Sequence, residues 1–287
     1  MTLNILTLNF AQSISRLGEY LSYGFIRNAL IVTVLVSVSA ALLGVVLVLK
    51  RYSLLGDGLS HVAFGAAAIA ATLGILDLEM ITLPVTILAA VILLTLSGKK
   101  IMGDAAVAII SAGALAVGYT IMKVGGGEAN LGGDVCTALF GSQEILASDT
   151  TDIVITATIT ALLIVLTVIF RHKLFSLTLD ERVARATGTK TGLYNLAIAV
   201  VTATVIVIGM KLAGALLISS LIIFPAMSAM RLCKSFKLTL LLSPIIAAIG
   251  ALLGVLLSII LETPVGATVA AVDILIYVII HIIKGKS

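Results

Sequence analysis

Asp57 and His61 are the two residues of this chain whose types and spacing best suit chemistry. They stand four apart in the stretch KRYSLLGDGLSHVAFGAAAI, residues 50–69. On a helix that spacing puts both side chains on one face. An imidazole nitrogen beside a carboxylate oxygen is a donor set for a divalent transition metal such as Zn²⁺ or Mn²⁺. Two ligands from one helix hold an ion weakly unless other groups join, and a weak site suits an ion that must leave. The same pair can serve as a structural hydrogen bond between helices, and Asp57, after Gly56, as an interfacial cap.

The remaining chemical side chains are scattered. Asp273 sits inside the last apolar run with nothing at ligand spacing, so packing and function stay equally open there. Asp104 follows Lys99 and Lys100 and reads as a helix cap. His172 and His281 fall at the ends of apolar runs, as surface residues. Glu128 and Asp134 belong to a Gly-rich loop, GGGEANLGGD, read as solvated. Cys136 and Cys233 match no metal or redox spacing. The sequence holds no GxxxxGK[ST] and no HExxH, which excludes P-loop ATP binding by this chain and argues against an intramembrane metalloprotease.

The elements that must carry these residues follow from composition. Of 287 residues, 60% are hydrophobic and 11% charged. So few charges cannot coat a soluble fold of this length, whereas lipid accepts apolar faces pointing outward. At about 20 apolar residues per crossing, the candidate spans are 25–49, 53–76, 80–97, 104–123, 151–170, 192–209, 212–230, 239–261 and 264–283. The expected fold is therefore all-α, a polytopic bundle of about nine spans. A turn at Met210–Lys211 is its weakest link, so eight spans plus a re-entrant piece is the alternative. Residues 131–147 read as a partial or re-entrant helix. Residues 1–24 carry Arg16 and Glu19, lack a signal peptide's apolar centre, and read as an amphipathic lead-in. A single transmembrane domain, 25–283, and a tail, 284–287, complete the organisation.

Positive charge orients the bundle. Fourteen of the 18 Lys and Arg fall in alternate loops, at 50–51, 99–100, 171–190, 231–237 and 284–286. The bias puts the N-terminus outside and the C-terminus in the cytoplasm, in a cell membrane. On that plan His61 is about 5 Å, and Asp57 about 11 Å, from the middle of the second span. The longest inner loop, 171–191, has a helix-compatible centre at Leu179–Thr187. Asp180 and Glu181 suit a helix start and Gly188 a stop, giving a short surface helix or a solvated connector. Gly250 and Gly254 form a GxxxG that permits close helix approach. Pro84 and Pro225 lie within spans as candidate kinks.

Together these segments resemble the permease subunits of the manganese/zinc/iron (metal-chelate, ABC-3) ATP-binding-cassette importers. The resemblance rests on LKRYSLLGDGLSHVAFGAAAIA (49–70), LFGS (139–142), DERVARATG (180–188), LAGALLISSLIIFPAMSAM (212–230) and GVLLSIILETPVG (254–266). It spans nearly all of 25–283. Phe64 stands where many relatives have Pro before Gly65.

The resemblance implies a transport subunit and not an enzyme. It implies that Asp57 and His61 contact the transported ion, and that the chain itself has no cofactor. A cytoplasmic ATPase, an extracytoplasmic metal-binding protein and a second permease copy would be its partners. A coupling helix at 174–191 would dock on the ATPase through Asp180, Glu181, Arg182, Ala184 and Gly188. Zinc, manganese and iron all remain open as cargo. A self-contained, ion-coupled secondary transporter is the alternative, although no internal repeat is visible. An intramembrane enzyme would need more convergent groups than one Asp–His pair.

Overall fold

The computed structural model describes residues 18, 20, 22–75, 77–96, 103–125 and 148–285. The lead-in (mostly), the 131–147 segment, LFGS, Lys99, Lys100, Glu128, Asp134 and Cys136 lie outside the described residues, as does the side chain of Asp104. Among the described residues there are ten helices and no strand. They are α1 (Gly24–Leu49), α2 (Leu55–Thr72), α3 (Glu79–Leu96), α4 (Gly103–Gly125), α5 (Thr150–Leu179), α6 (Glu181–Ala186), α7 (Thr191–Ala213), α8 (Ala215–Leu232), α9 (Phe236–Leu261) and α10 (Val265–Gly285).

Each expected span has a helix. Six are long and apolar enough to cross a membrane: α1, α4, α5, α7, α9 and α10. Within α3 and α8, Glu79–Leu94 and Leu217–Leu232 are shorter apolar segments. Helix α2 is outside both groups, because Asp57, His61 and three glycines dilute its apolar content. Yet it is buried along nearly its whole length, against α4, α3, α8 and α7. Helix α8 is the other interior element, touching α1, α2, α7, α9 and α10. Its Leu217, Ile218, Leu221 and Ile222 are fully buried. By contrast, α5 shows Val154, Leu162, Val165, Val168 and Ile169 to the surroundings. Such a face is stable only against lipid or another protein.

Small residues bring α2 and α4 together. A Cβ added at Gly65 would lie 2.5 Å from the carbonyl oxygen of Ala114, and one at Gly118 would lie 2.5 Å from the Gly65 Cα. The two backbones are therefore in contact, which a side chain at either position would prevent. The GxxxG acts similarly between α9 and α10, with Gly250 against Asp273 and Gly254 against Val269.

The boundaries correct two expectations. The turn expected at Met210–Lys211 lies instead at Gly214, the single residue between α7 and α8. It is a glycine because its φ is 85°. Helix α7 continues through Lys211, whose Nζ donates to Glu79 Oε1 at 2.6 Å. The helix expected over 174–191 is in pieces. Leu174–Leu179 are the last turns of α5, held by burial of Leu174 and Leu177. Asp180 then turns extended, at φ −154° and ψ 112°, and starts α6. At 30 residues α5 is about 45 Å long, more than a hydrocarbon core of about 30 Å, so one end projects beyond it.

Polar contacts tie chain ends into two layers. Glu79 and Lys211 join the start of α3 to the end of α7. At the opposite end of the bundle, Lys50 follows α1, α6 precedes α7, and Lys284 Nζ donates to the Leu232 carbonyl at 2.8 Å. Lys50 and Arg185 thus meet at the start of α7, through Asn195 and Thr191.

Candidate metal site and its supporting helix

The sharp entry into α2 positions Asp57. Past Leu49, Arg51 adopts a left-handed φ of 62°. The Arg51 N–H donates to Val48 O at 3.0 Å and the Tyr52 N–H to Leu47 O at 2.9 Å. This pairing closes a helix C-terminus, and Gly usually occupies the left-handed position. A non-glycine there costs on the order of 1 kcal/mol, tolerated where the surroundings require that geometry. Leu55 starts α2, so Asp57 falls in its first turn, where a carboxylate suits the helix dipole.

Asp57 Oδ2 and His61 Nε2 are 3.7 Å apart. That is too long for a hydrogen bond. Two donors each about 2.0–2.2 Å from one ion can be up to about 4 Å apart, so one cation can touch both. Ser219 of α8, which the sequence reading did not single out, directs its hydroxyl to Asp57 Oδ1 at 3.3 Å and shares it with the Ala215 carbonyl at 3.2 Å. His61 Nδ1 is buried without a hydrogen-bond partner. Among residues of α2, only Asp57, His61, Ile69 and Thr72 retain exposure, and these fall within about a third of the helix circumference. The Asp57 side chain is 49% exposed and that of His61 22%. The pair thus faces an opening along a helix otherwise enclosed by protein. No cluster of three or more His, Cys, Asp or Glu able to hold a metal occurs among the described residues.

The other candidates lie apart from this pair. Asp273 is buried in α10 against Gly250, both carboxylate oxygens unpartnered. His172 is exposed beside Arg171, and His281 is exposed against Tyr277. Cys233 is a free thiol just past α8.

The residues expected to couple to an ATPase assemble around α6. Asp180 Oδ1 accepts from the N–H groups of Arg182 at 2.7 Å and Val183 at 3.4 Å, an N-cap. Ala184 is fully buried, whereas Val183 is exposed. Gly188, at φ 81°, ends the helix. Glu181 Oε1 accepts from Arg185 Nη2 and from Asn195 Nδ2, each at 3.2 Å. Asn195 Oδ1 in turn accepts from Lys50 Nζ at 2.5 Å. Burial lowers the Lys50 pKa below its ordinary value, and the Glu181 charge acts in the opposite sense. Asn195 and Lys50 were not singled out by sequence. A lone amide in the apolar run after Leu193 was their available signal.

The chain is a member of the ABC 3 transport family, which it matches over residues 22–284. It is accordingly a multi-pass membrane protein of ABC-transporter permease type. It is 31% identical over 225 residues, 78% of each chain, to a Thermotoga maritima protein named a probable metal transport system membrane protein. It is 30% identical over 227 residues, 79% of each, to the manganese import system permease protein ScaB of Streptococcus gordonii. The structure of PsaBC from Streptococcus pneumoniae in complex with Fab superposes with a TM-score of 0.78 at 28% identity, covering 94% of this chain and 95% of that one.

Proposed function

We propose that this chain is the transmembrane permease subunit of an ATP-driven importer of divalent transition-metal ions. Asp57 and His61 contact the ion in transit, with Ser219 holding Asp57 from the neighbouring helix. The observation that carries the reading is the exposure of these two side chains on a helix otherwise enclosed by protein. An interior helix with an ionisable stripe is costly in a membrane unless that stripe serves a path. Family membership and the manganese import system named for one relative support it.

On this reading the chain crosses nine times, through the six long apolar helices with α2, α3 and α8, and the bias of Lys and Arg supports an outside N-terminus with α6 in the cytoplasm. There α6 docks on a separate ATPase through Arg182, Val183 and the residues that shape the helix: Asp180, Glu181, Ala184 and Gly188. The ion arrives from an extracytoplasmic binding protein, and two copies of the chain pair across the path. ATP turnover then switches the permease between outward- and inward-facing states. Zinc and manganese are the expected cargoes, since the Asp–His donor set accepts both.

The test is uptake of Mn²⁺ and Zn²⁺ by vesicles holding this chain with its ATPase. Uptake is expected only with ATP, and is expected to vanish in Asp57→Ala and His61→Ala although both variants insert normally. Full uptake by both variants removes the site assignment. Uptake driven by an ion gradient without ATP removes the importer.

A further inference from the structure

The path from α6 to Asp57 runs through two side chains with no assigned role. Helix α6 has six residues, too few to persist unsupported. Side-chain bonds tie it to the bundle from Glu181 to Asn195 and from Arg185 Nε to Thr191 Oγ1 at 3.3 Å, both at the start of α7. Asn195 is 7% exposed and uses both ends of its amide, Nδ2 toward Glu181 and Oδ1 toward Lys50. Its orientation is set by its neighbours. Lysine can only donate and an ionised glutamate can only accept, so a flipped amide would lose both bonds.

Beyond Lys50 there is no slack. Arg51, Tyr52, Leu55 and Gly58 each donate a backbone hydrogen bond to a residue three to five positions earlier. The Lys50 ammonium also lies 5.9 Å from the centre of the Tyr52 ring. Asp57 follows seven residues after Lys50, in the first turn of α2.

We infer that Asn195 and Lys50 are positioning residues that join α6 to the elbow before α2, so that displacement of α6 reaches the helix bearing Asp57 and His61. The inference rests on the importer reading given above. Neither residue touches the ion. Each acts by making α6, the start of α7 and the elbow move as one body. Coupling of this kind is established by measuring it, since proximity alone does not.

The experiment uses the full complex, this chain with its ATPase and its extracytoplasmic binding protein, in lipid vesicles. Mn²⁺ and Zn²⁺ uptake and ATP hydrolysis are measured together for wild type, Asn195→Ala, Lys50→Met, Lys50→Arg and the Asn195→Ala/Lys50→Met double variant. Hydrolysis is expected to persist while ions moved per ATP fall roughly tenfold in Asn195→Ala and Lys50→Met, the scale of losing a hydrogen bond to a charged group. Lys50→Arg should restore most of the ratio. The double variant should be no worse than either single one, because one chain is cut twice. An unchanged ratio in both single variants overturns the inference alone. So does an equal loss of hydrolysis and uptake, which marks a merely structural role. A wild-type complex that moves neither ion with ATP overturns the importer reading, and the inference with it.

Discussion

Ser219 of α8 and Asp57 of α2 are bonded across 162 positions of sequence, hydroxyl to carboxylate, at 3.3 Å. The bond fixes one oxygen of Asp57 and leaves the other, Oδ2, turned toward His61. It marks Ser219 as a support for the site. Removing the hydroxyl in Ser219→Ala should raise the apparent KM for the ion by a few-fold, on the scale of about 1 kcal/mol for one hydrogen bond, with the maximal rate retained. Initial uptake rates against ion concentration decide this, and an unchanged KM would detach Ser219 from the site.

Asp57→Asn and His61→Gln keep shape and polarity while changing the donors. Both should lose most uptake, Asp57→Asn the more, because a neutral amide oxygen is a poorer ligand for a hard or borderline cation than a carboxylate. Retained transport by Asp57→Asn would point to a structural role for the pair.

The cap on α6 gives a third test. Asp180→Ala removes the acceptor for two backbone N–H groups. Loss of a cap costs about 1 kcal/mol, a large share of what holds so short a helix. The expected result is weaker association with the ATPase in co-purification, with Asp180→Ser or Asp180→Asn close to wild type. Equal recovery of ATPase with Asp180→Ala would remove α6 as the contact.

A fourth concerns packing. Gly250→Ala drives a methyl group into the Asp273 carboxylate. Because the buried Asp273 side chain must be displaced within a packed interface, a loss of about 1–3 kcal/mol is expected, seen as a lower unfolding temperature in detergent. Gly192→Ala, where nothing lies within 4 Å of the added carbon, is the matched control. Equal unfolding temperatures would mean that α9 and α10 adjust freely.

Much of this architecture is legible in the chain because lipid imposes length and charge patterns directly. Apolar runs located every described helix but the polar α6, which capping residues marked instead. The Asp–His spacing likewise identified two residues on one helix face. Three things were not legible. The turn at Gly214 depends on a positive φ, while Lys211, a residue that suggests an interface, is retained within α7 by its bond to Glu79. The continuation of α5 to Leu179 depends on burial of Leu174 and Leu177, although Asp180 and Glu181 had already marked the start of α6. Ser219, Asn195 and Lys50 act across more than a hundred residues of sequence, a distance that periodicity does not reach.

The contact of Gly65 with Ala114 and Gly118 has a mechanical consequence. Where two helices meet through interlocked side chains, sliding one along the other forces each rotamer over a barrier. At Gly65 and Gly118 the meeting surfaces are main chain, while Val107 seats against Gly58 and Thr72 against Gly125 at the two ends of the same seam. The seam is therefore keyed at both ends, and α2 and α4 are tied to move together. A larger residue at Gly65 would act as a wedge at the middle of that joint, prising apart two helices that are held at either end.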